Sequence, residues 1–327
     1  MKKRILGKTN IEVAEISLGT WQVGGAWGQE FSHENADTIL RTAIDKGINF
    51  IDTADVYGDG HSEKAVGRVV KEYQDKIYVA TKCGRKLNPH TDASYTIKAL
   101  RNFVEDSLRN MDLETIDLIQ LHCMPNDTYY RPEIFELFDR LKEEGKIQHL
   151  GVSVEKVEQA IKAIEYDNVA TVQIIFNMFR QRPAELFFDL AKKNNIGILA
   201  RVPLASGLLS GKYTSSTVFE PGDHRQGNRN GEWFDRGETF SGVDFERGLT
   251  AVGALKAYFG DRNLAQMALL WVLQFEEVSC VIPGASKVEH LLSNIAADEL
   301  PRLSEEDMAF VKSIYQQFVK PDVHQIW

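Results

Sequence analysis

Four side chains stand at matching places in this chain. Asp52 closes the run Asn49-Phe-Ile-Asp52, Lys82 closes Val79-Ala-Thr-Lys82, and His122 closes Leu118-Ile-Gln-Leu-His122, with Tyr57 in the segment just after Asp52. A tyrosine with its ordinary pKa of about 10 is a weak acid at neutral pH. An ammonium beside it stabilises the phenolate, and a half-buried lysine needs a carboxylate such as Asp52 to stay charged. A histidine at the same mouth can orient a carbonyl and share in stabilising the developing alkoxide. The set suits delivery of a proton to a carbonyl oxygen, that is, carbonyl reduction. Singly, each residue has an ordinary reading: a turn aspartate, a surface lysine, a core histidine, a half-buried aromatic ring. Their recurrence at successive strand ends is what makes them a set.

The elements that would position them repeat a short β-branched run, a turn and an amphipathic helix. Strands are expected at Ile16–Leu18, Phe50–Asp52, Ile77–Thr81, Leu118–His122, His149–Val152, Thr171–Ile175, Gly197–Arg201 and Val278–Ile282. Between them, Ala36, Ile39, Leu40, Ala43 and Ile44 recur at helical spacing, as do Ile97, Leu100, Val104, Leu108 and Met111. A further helix opens at Pro132 and stops at Gly145. Others carry Val157–Ile164 and Leu186–Leu190, and one runs from Leu264 to Leu273. Alternating strands and helices fit a (β/α)8 TIM barrel or a doubly wound sheet. No Gly-x-Gly-x-x-Gly turn follows the first strand, which favours the α/β barrel, whose active site lies at the C-terminal strand ends. A hairpin is expected where Arg4–Leu6 and Ile11–Val13 flank Gly7–Asn10, as a cap on the barrel bottom. The aperiodic stretch from Thr214 to about Asp244 reads as a long loop after the seventh strand, a lid or binding loop. Residues 1–327 are expected to form a single domain.

The segment Gly47-Ile-Asn-Phe-Ile-Asp-Thr-Ala-Asp-Val-Tyr-Gly58, followed by His61-Ser-Glu63 and Gly67, resembles the first signature of the aldo-keto reductases, most like the bacterial stress-associated branch with its Ile-Pro-Gly-Ala-Ser ending. The resemblance implies a catalytic tetrad of Asp52, Tyr57, Lys82 and His122, and NADPH/NADP+ as cofactor. It implies further that Gly19, Thr20 and Trp21 lie under the nicotinamide, and that Ser153 and Gln173, with Asp52 nearby, hold its carboxamide. Arg201 and Val202 are further cofactor-binding positions, and Pro203, Leu204, Gly207, Leu209, Gly211 and Lys212 fall in the loop covering the pyrophosphate. Gly284, Ser286, Lys287, His290 and Asn294 fall at the adenosine phosphate. Three departures stand out. Arg201 occupies the place of a tyrosine that stacks on the nicotinamide; its guanidinium either lies against the ring or turns away to an acidic partner. Ser153-Val154 replaces Ser-Asn. Gly284 and His290 replace basic residues, leaving Lys287 as the main cation for a 2′-phosphate.

A net charge of -9 and a pI near 5.5 argue against nucleic acid or an anionic membrane as partner. The start, Met1-Lys-Lys-Arg-Ile-Leu, has no apolar core or cleavage site, and no apolar run approaches a membrane span. Three cysteines, Cys83, Cys123 and Cys280, without metal-ligand spacing suggest a reducing compartment, no metal and a cytoplasmic location. The expected partner is a small-molecule carbonyl substrate, and the expected state a monomer or weak oligomer. Two other readings stay open: an NADP-binding regulatory or redox-sensing barrel with little turnover, and a barrel using Lys82 as a Schiff base, which a charged lysine disfavours. Trp21, Trp27, Met124, Tyr129, Tyr130 and Trp327 are candidates for an aromatic substrate pocket, with core packing as the competing account.

Overall fold

The structure, a computed structural model, describes residues 1–25 and 30–327. Its first element is the expected hairpin, β1 (Lys3–Ile5) antiparallel to β2 (Glu12–Ala14), with Arg4 opposite Val13. Eight parallel strands follow: β3 (Leu18–Gly19), β4 (Phe50–Asp52), β5 (Tyr78–Cys83), β6 (Ile116–His122), β7 (Ile147–Val154), β8 (Val169–Ile175), β9 (Gly197–Arg201) and β10 (Val278–Val281), each paired with its neighbour in sequence. Closure comes from the segment ahead of β3. Ser17 N donates to Val281 O at 2.9 Å and Val281 N to Glu15 O at 2.8 Å, so the first strand region lies beside the last. The expected strand Ile16–Leu18 is thus displaced: Ile16 makes only an isolated bridge, and the paired strand starts two residues later.

Helices α1 (His33–Asp45), α2 (His61–Val70), α3 (Ile97–Met111), α4 (Pro132–Glu143), α5 (Val157–Ala163) and α6 (Phe187–Lys193) alternate with the strands, giving the (β/α)8 barrel. Side-chain caps begin several of them: Ser32 accepts from Asn35 N, and Thr96 from Ala99 N. Their apolar stripes and the outward strand faces form one large buried layer. Inside the barrel, Phe50, Ala80, Leu118, Leu199 and Cys280 pack on Leu6, Ile11 and Val13 of the hairpin, which closes the bottom. The plug sits tight because Gly7 (φ 51) touches the sheet: a β-carbon there would lie 2.0 Å from Gly197 N.

The expected loop after the seventh strand is built of short turns, including α7 (His224–Gly227), and precedes α8 (Phe245–Phe259) and α9 (Leu264–Leu273). Trp327 fastens it: the indole donates to Asp235 at 3.2 Å, lies 4.2 Å from the Arg180 guanidinium and packs on Gly242. Helices α10 (Val288–Ile295) and α11 (Glu305–Ile314) complete the outer layer. No helix among the described residues is long and apolar enough to cross a membrane.

Candidate active site

The strand ends bring the four expected residues together. Asp52 ends β4, Lys82 lies one residue from the end of β5, His122 ends β6, and Tyr57 sits in the turn leading to α2. Lys82 Nζ donates to Asp52 Oδ1 at 2.5 Å, to the Thr53 carbonyl at 2.7 Å and to Tyr57 Oη at 3.3 Å. All three bonds of an ammonium are thereby made inside the protein. The other oxygen of Asp52 accepts from Gln120 at 2.9 Å and Gln173 at 2.8 Å, so the carboxylate is fixed from both sides. The Tyr57 and His122 rings meet edge to face, with centroids 6.4 Å apart at 85°.

Burial and the neighbouring charges together set the protonation states. Burial tends to discharge Lys82, but Asp52 and Tyr57 outweigh it, and the ammonium is held above its ordinary value. A lysine so held is a poor amine nucleophile, which removes support from the Schiff-base reading. The Tyr57 phenol is pushed up by burial, with Lys82 pulling the other way. The ammonium's effect expected from the sequence is present, but the cost of burial is larger, so the ring rests as a protonated acid. Burial, helped by Arg85, Lys82 and Arg201, pushes His122 well below its usual range, and its imidazole is neutral at pH 7.

These groups open on a cavity of about 1100 Å³. Gly19, Thr20, Trp21, Asp52, Ser153, Gln173, Arg201, Val202, Pro203, Leu204, Gly207, Gly211, Lys212, Gly284, Ser286, Lys287, His290 and Asn294 all line it, as do Tyr57 and His122. Two expected residues do not. Leu209 is fully buried behind the loop, and Lys82 lies beneath Tyr57, out of reach from the cavity. The wall also holds residues that sequence reasoning passed over. Arg85 follows β5; His224, Phe234 and Glu238 come from the long loop; Lys256 and Arg262 come from the end of α8 and just beyond it. Glycines at 84 and 237 sit beside such positions, yet no periodicity marks them; only the tertiary course of the loop does.

Of the aromatic candidates, Trp21 stacks over Tyr57 at 6.4 Å and faces His224 and Phe234. Met124 and Tyr129 are core residues, Tyr130 is exposed, and Trp327 fastens the loop, so none of these lines the cavity. Trp27 lies outside the described residues. Cys83, Cys123 and Cys280 are buried and unpaired, and burial pushes the Cys123 and Cys280 thiols up to about 12. That suits packing rather than redox chemistry.

Arg201 takes the second of the two courses open to it. Its guanidinium donates to Glu238 at 2.6 Å and to the Val154 carbonyl at 2.9 Å, with Cys123 Sγ at 3.8 Å. The charge is cancelled inside the wall and is not offered bare to a ring. Cys123, Glu155 and Glu238 converge here closely enough to hold a cation, but the arginines on Glu155 and Glu238 already balance them.

A long anionic dinucleotide fits this cavity on three observations. Ser153 Oγ is buried on its wall without a hydrogen-bond partner. Val202 (φ 53), Ser206 (φ 56) and Gly207 (φ 91) hold the loop after β9 in left-handed backbone, a strain for valine that persists where the surroundings require it. Lys212, Lys256 and Lys287 line the cavity together with Asn263 and Leu264 at the start of α9 and with Arg262, whose guanidinium is paired to Asp307, a setting suited to phosphate.

Comparison with known proteins agrees. The aldo/keto reductase family model matches residues 15–316. An L-glyceraldehyde 3-phosphate reductase of Escherichia coli O157:H7 is 30% identical, over 94% of this chain and 91% of that protein. An NADH-specific methylglyoxal reductase of Escherichia coli (strain K12) is 29% identical, over 96% and 98%. The structure of the glycerol dehydrogenase from Gluconobacter oxydans superposes with a TM-score of 0.77 at 31% identity, over 97% and 96% of the two chains. The chain belongs to the aldo/keto reductase family, whose members are NAD(P)-dependent oxidoreductases.

Proposed function

We propose that this protein reduces aldehydes and ketones to alcohols, using NADPH and with Tyr57 as general acid. The observation that carries the reading is the Asp52–Lys82–Tyr57 chain of contacts ending at the cavity beside His122. Ser153 and Gln173 would hold the carboxamide of the nicotinamide, and Lys212, Arg262 and Lys287 the phosphates. The cofactor, when bound, supplies the hydride. Tyr57 Oη gives its proton to the substrate oxygen as the carbonyl carbon gains that hydride, and the neutral imidazole of His122 orients the same oxygen. Lys82 favours the phenolate that results, while Asp52 keeps Lys82 charged and pointed. Because the phenol starts fully protonated, the ammonium acts mainly as charge builds on the ring, where stabilisation accelerates the step. Preference for NADPH over NADH is supported by the cations lining the cavity; a relative named as NADH-specific makes it a point for measurement.

The test is consumption of reduced cofactor with simple aldehydes, by the wild type and by Tyr57→Phe. The variant keeps the ring and loses the proton donor, so turnover should fall about 10²–10⁴-fold with NADPH binding almost unchanged. Turnover near the wild-type rate would remove Tyr57 from the role of acid.

A further inference from the structure

Two arginines border the substrate end of the cavity, and they are used differently. Arg201 is spent on Glu238 and a backbone carbonyl, as described. Arg85 follows β5 by two residues, and among the described residues its one hydrogen bond runs from Nη1 to Glu155 Oε1 at 3.3 Å. The guanidinium lies 6.0 Å from the Phe234 ring, and its side chain is 23% exposed on the same wall as Tyr57 and His122. A guanidinium carries five N–H donors in a rigid fork that matches a carboxylate or phosphate edge. Most of that capacity is unmet here.

The charges around it do not forbid an anion. Glu238 is neutralised by Arg201. Burial, with Asp235 and Glu238 adding to it, pushes the Glu155 carboxyl up against the pull of Arg85, and the pair is joined by a single long contact that leaves the rest of the fork unused. Arg180 approaches the same loop and donates to the Glu155 carbonyl. Arg85 is also the foremost charged neighbour disfavouring protonation of His122, which places its field on the reacting end.

We propose that the carbonyl substrate carries an anionic group, a carboxylate or a phosphate, and that Arg85 is the residue that selects it. This rests on the carbonyl-reductase reading and narrows its substrate class. Trp21 and Phe234 line the same cavity.

The experiment compares kcat/KM for two pairs: succinic semialdehyde against butanal, and glyceraldehyde 3-phosphate against glyceraldehyde. The wild type should prefer the anionic member of at least one pair, and which pair shows it separates carboxylate from phosphate. Arg85→Met should cut that ratio by roughly 10- to 100-fold, the scale of a charge-assisted hydrogen bond. Arg85→Lys should keep part of the ratio, and it serves as the reporter if the methionine variant folds poorly. A wild-type ratio near one for both pairs, or a ratio untouched by both substitutions, overturns the proposal. Reduction of the neutral aldehydes that still depends on Tyr57 would show in that case that carbonyl reduction itself stands and only the substrate class was wrong.

Discussion

Replacing Lys82 by methionine tests the electrostatic account most directly, because the side chain touches no part of the cavity and acts only through its neighbours. At the 3.3 Å separation from Tyr57 Oη, a full ammonium–phenolate attraction in surroundings of effective dielectric about 20 amounts to roughly 5 kcal/mol. A transition state with about half the charge developed on the ring loses about 2.5 kcal/mol, or roughly 50- to 100-fold in turnover. That is a floor, since Asp52, stripped of its partner, then repels the phenolate. The same substitution strands a carboxylate whose side chain is 2% exposed, which costs about 3–5 kcal/mol of stability. The double variant Lys82→Met, Asp52→Asn should recover part of that stability and only the share of turnover lost to that repulsion, leaving the roughly 50- to 100-fold deficit. The assays are steady-state oxidation of NADPH with an aldehyde, NADPH affinity by fluorescence, and chemical denaturation. Lys82→Met turning over within a few-fold of wild type refutes the reasoning. So does a double variant that regains the wild-type rate along with stability, for then the lysine only held the fold.

Lys287→Ala should weaken NADPH binding and leave NADH nearly unchanged, the 2′-phosphate bond being worth about 1.5–3 kcal/mol; equal losses in titrations of both cofactors remove Lys287 from phosphate recognition, and a small selective loss hands the role to Arg262 and Lys212. Arg201→Tyr should destabilise the chain by about 3–5 kcal/mol by leaving Glu238 unpaired, and adding Glu238→Gln should restore much of it. Because the Arg201 charge is already cancelled, the ratio of NADP+ to NADPH dissociation constants should hold in the double variant, and a tenfold change would put the guanidinium back against the ring. His224 is held down to about 4 by burial, against the pull of Asp223, while its Nδ1 meets Thr239 Oγ1 at 2.9 Å. The unfolded histidine takes a proton below about 6.5 and the folded one does not, so this contribution to stability is intact at pH 7 and shrinks as pH falls toward 4, by about 2 kcal/mol at pH 5. His224→Gln should remove that much of the acid slope in denaturation midpoints; an unchanged slope would place the proton elsewhere.

The barrel was readable because β-branched runs alternate with helical periodicity, and because chemistry-bearing residues stood where those runs stopped. Asp52, Lys82 and His122 needed only a strand end to be placed, and their contacts follow from parallel neighbours in register. Arg85, Glu238 and Phe234 were not readable for the opposite reason. They sit on turns whose direction is set by packing at a distance, such as Trp327 on Gly242 and Asp235. The partner of Arg201 lies 37 residues away in sequence on such a turn, so the type of residue was legible and its orientation was not. The state of Tyr57 shows the same limit: a lysine nearby is visible in the pattern of residues, whereas the depth of burial that outweighs it is a property of the folded molecule.

The seam where Ser17 and Val281 join has a bearing on synthesis. Each of the other barrel strands finds a partner within the stretch just made, but this joint unites residues more than two hundred and sixty positions apart. Until the last strand emerges from the ribosome, the nascent sheet carries two open edges, the kind that invite pairing with other chains. Closure of so long a loop is slow to reward the chain, and Arg4 adds to the delay, since the carbonyls it clasps belong to Leu273, Phe275 and Val278. The plug made first therefore waits for the residues made last, and a ribosome stalled anywhere before β10 holds an unclosed sheet.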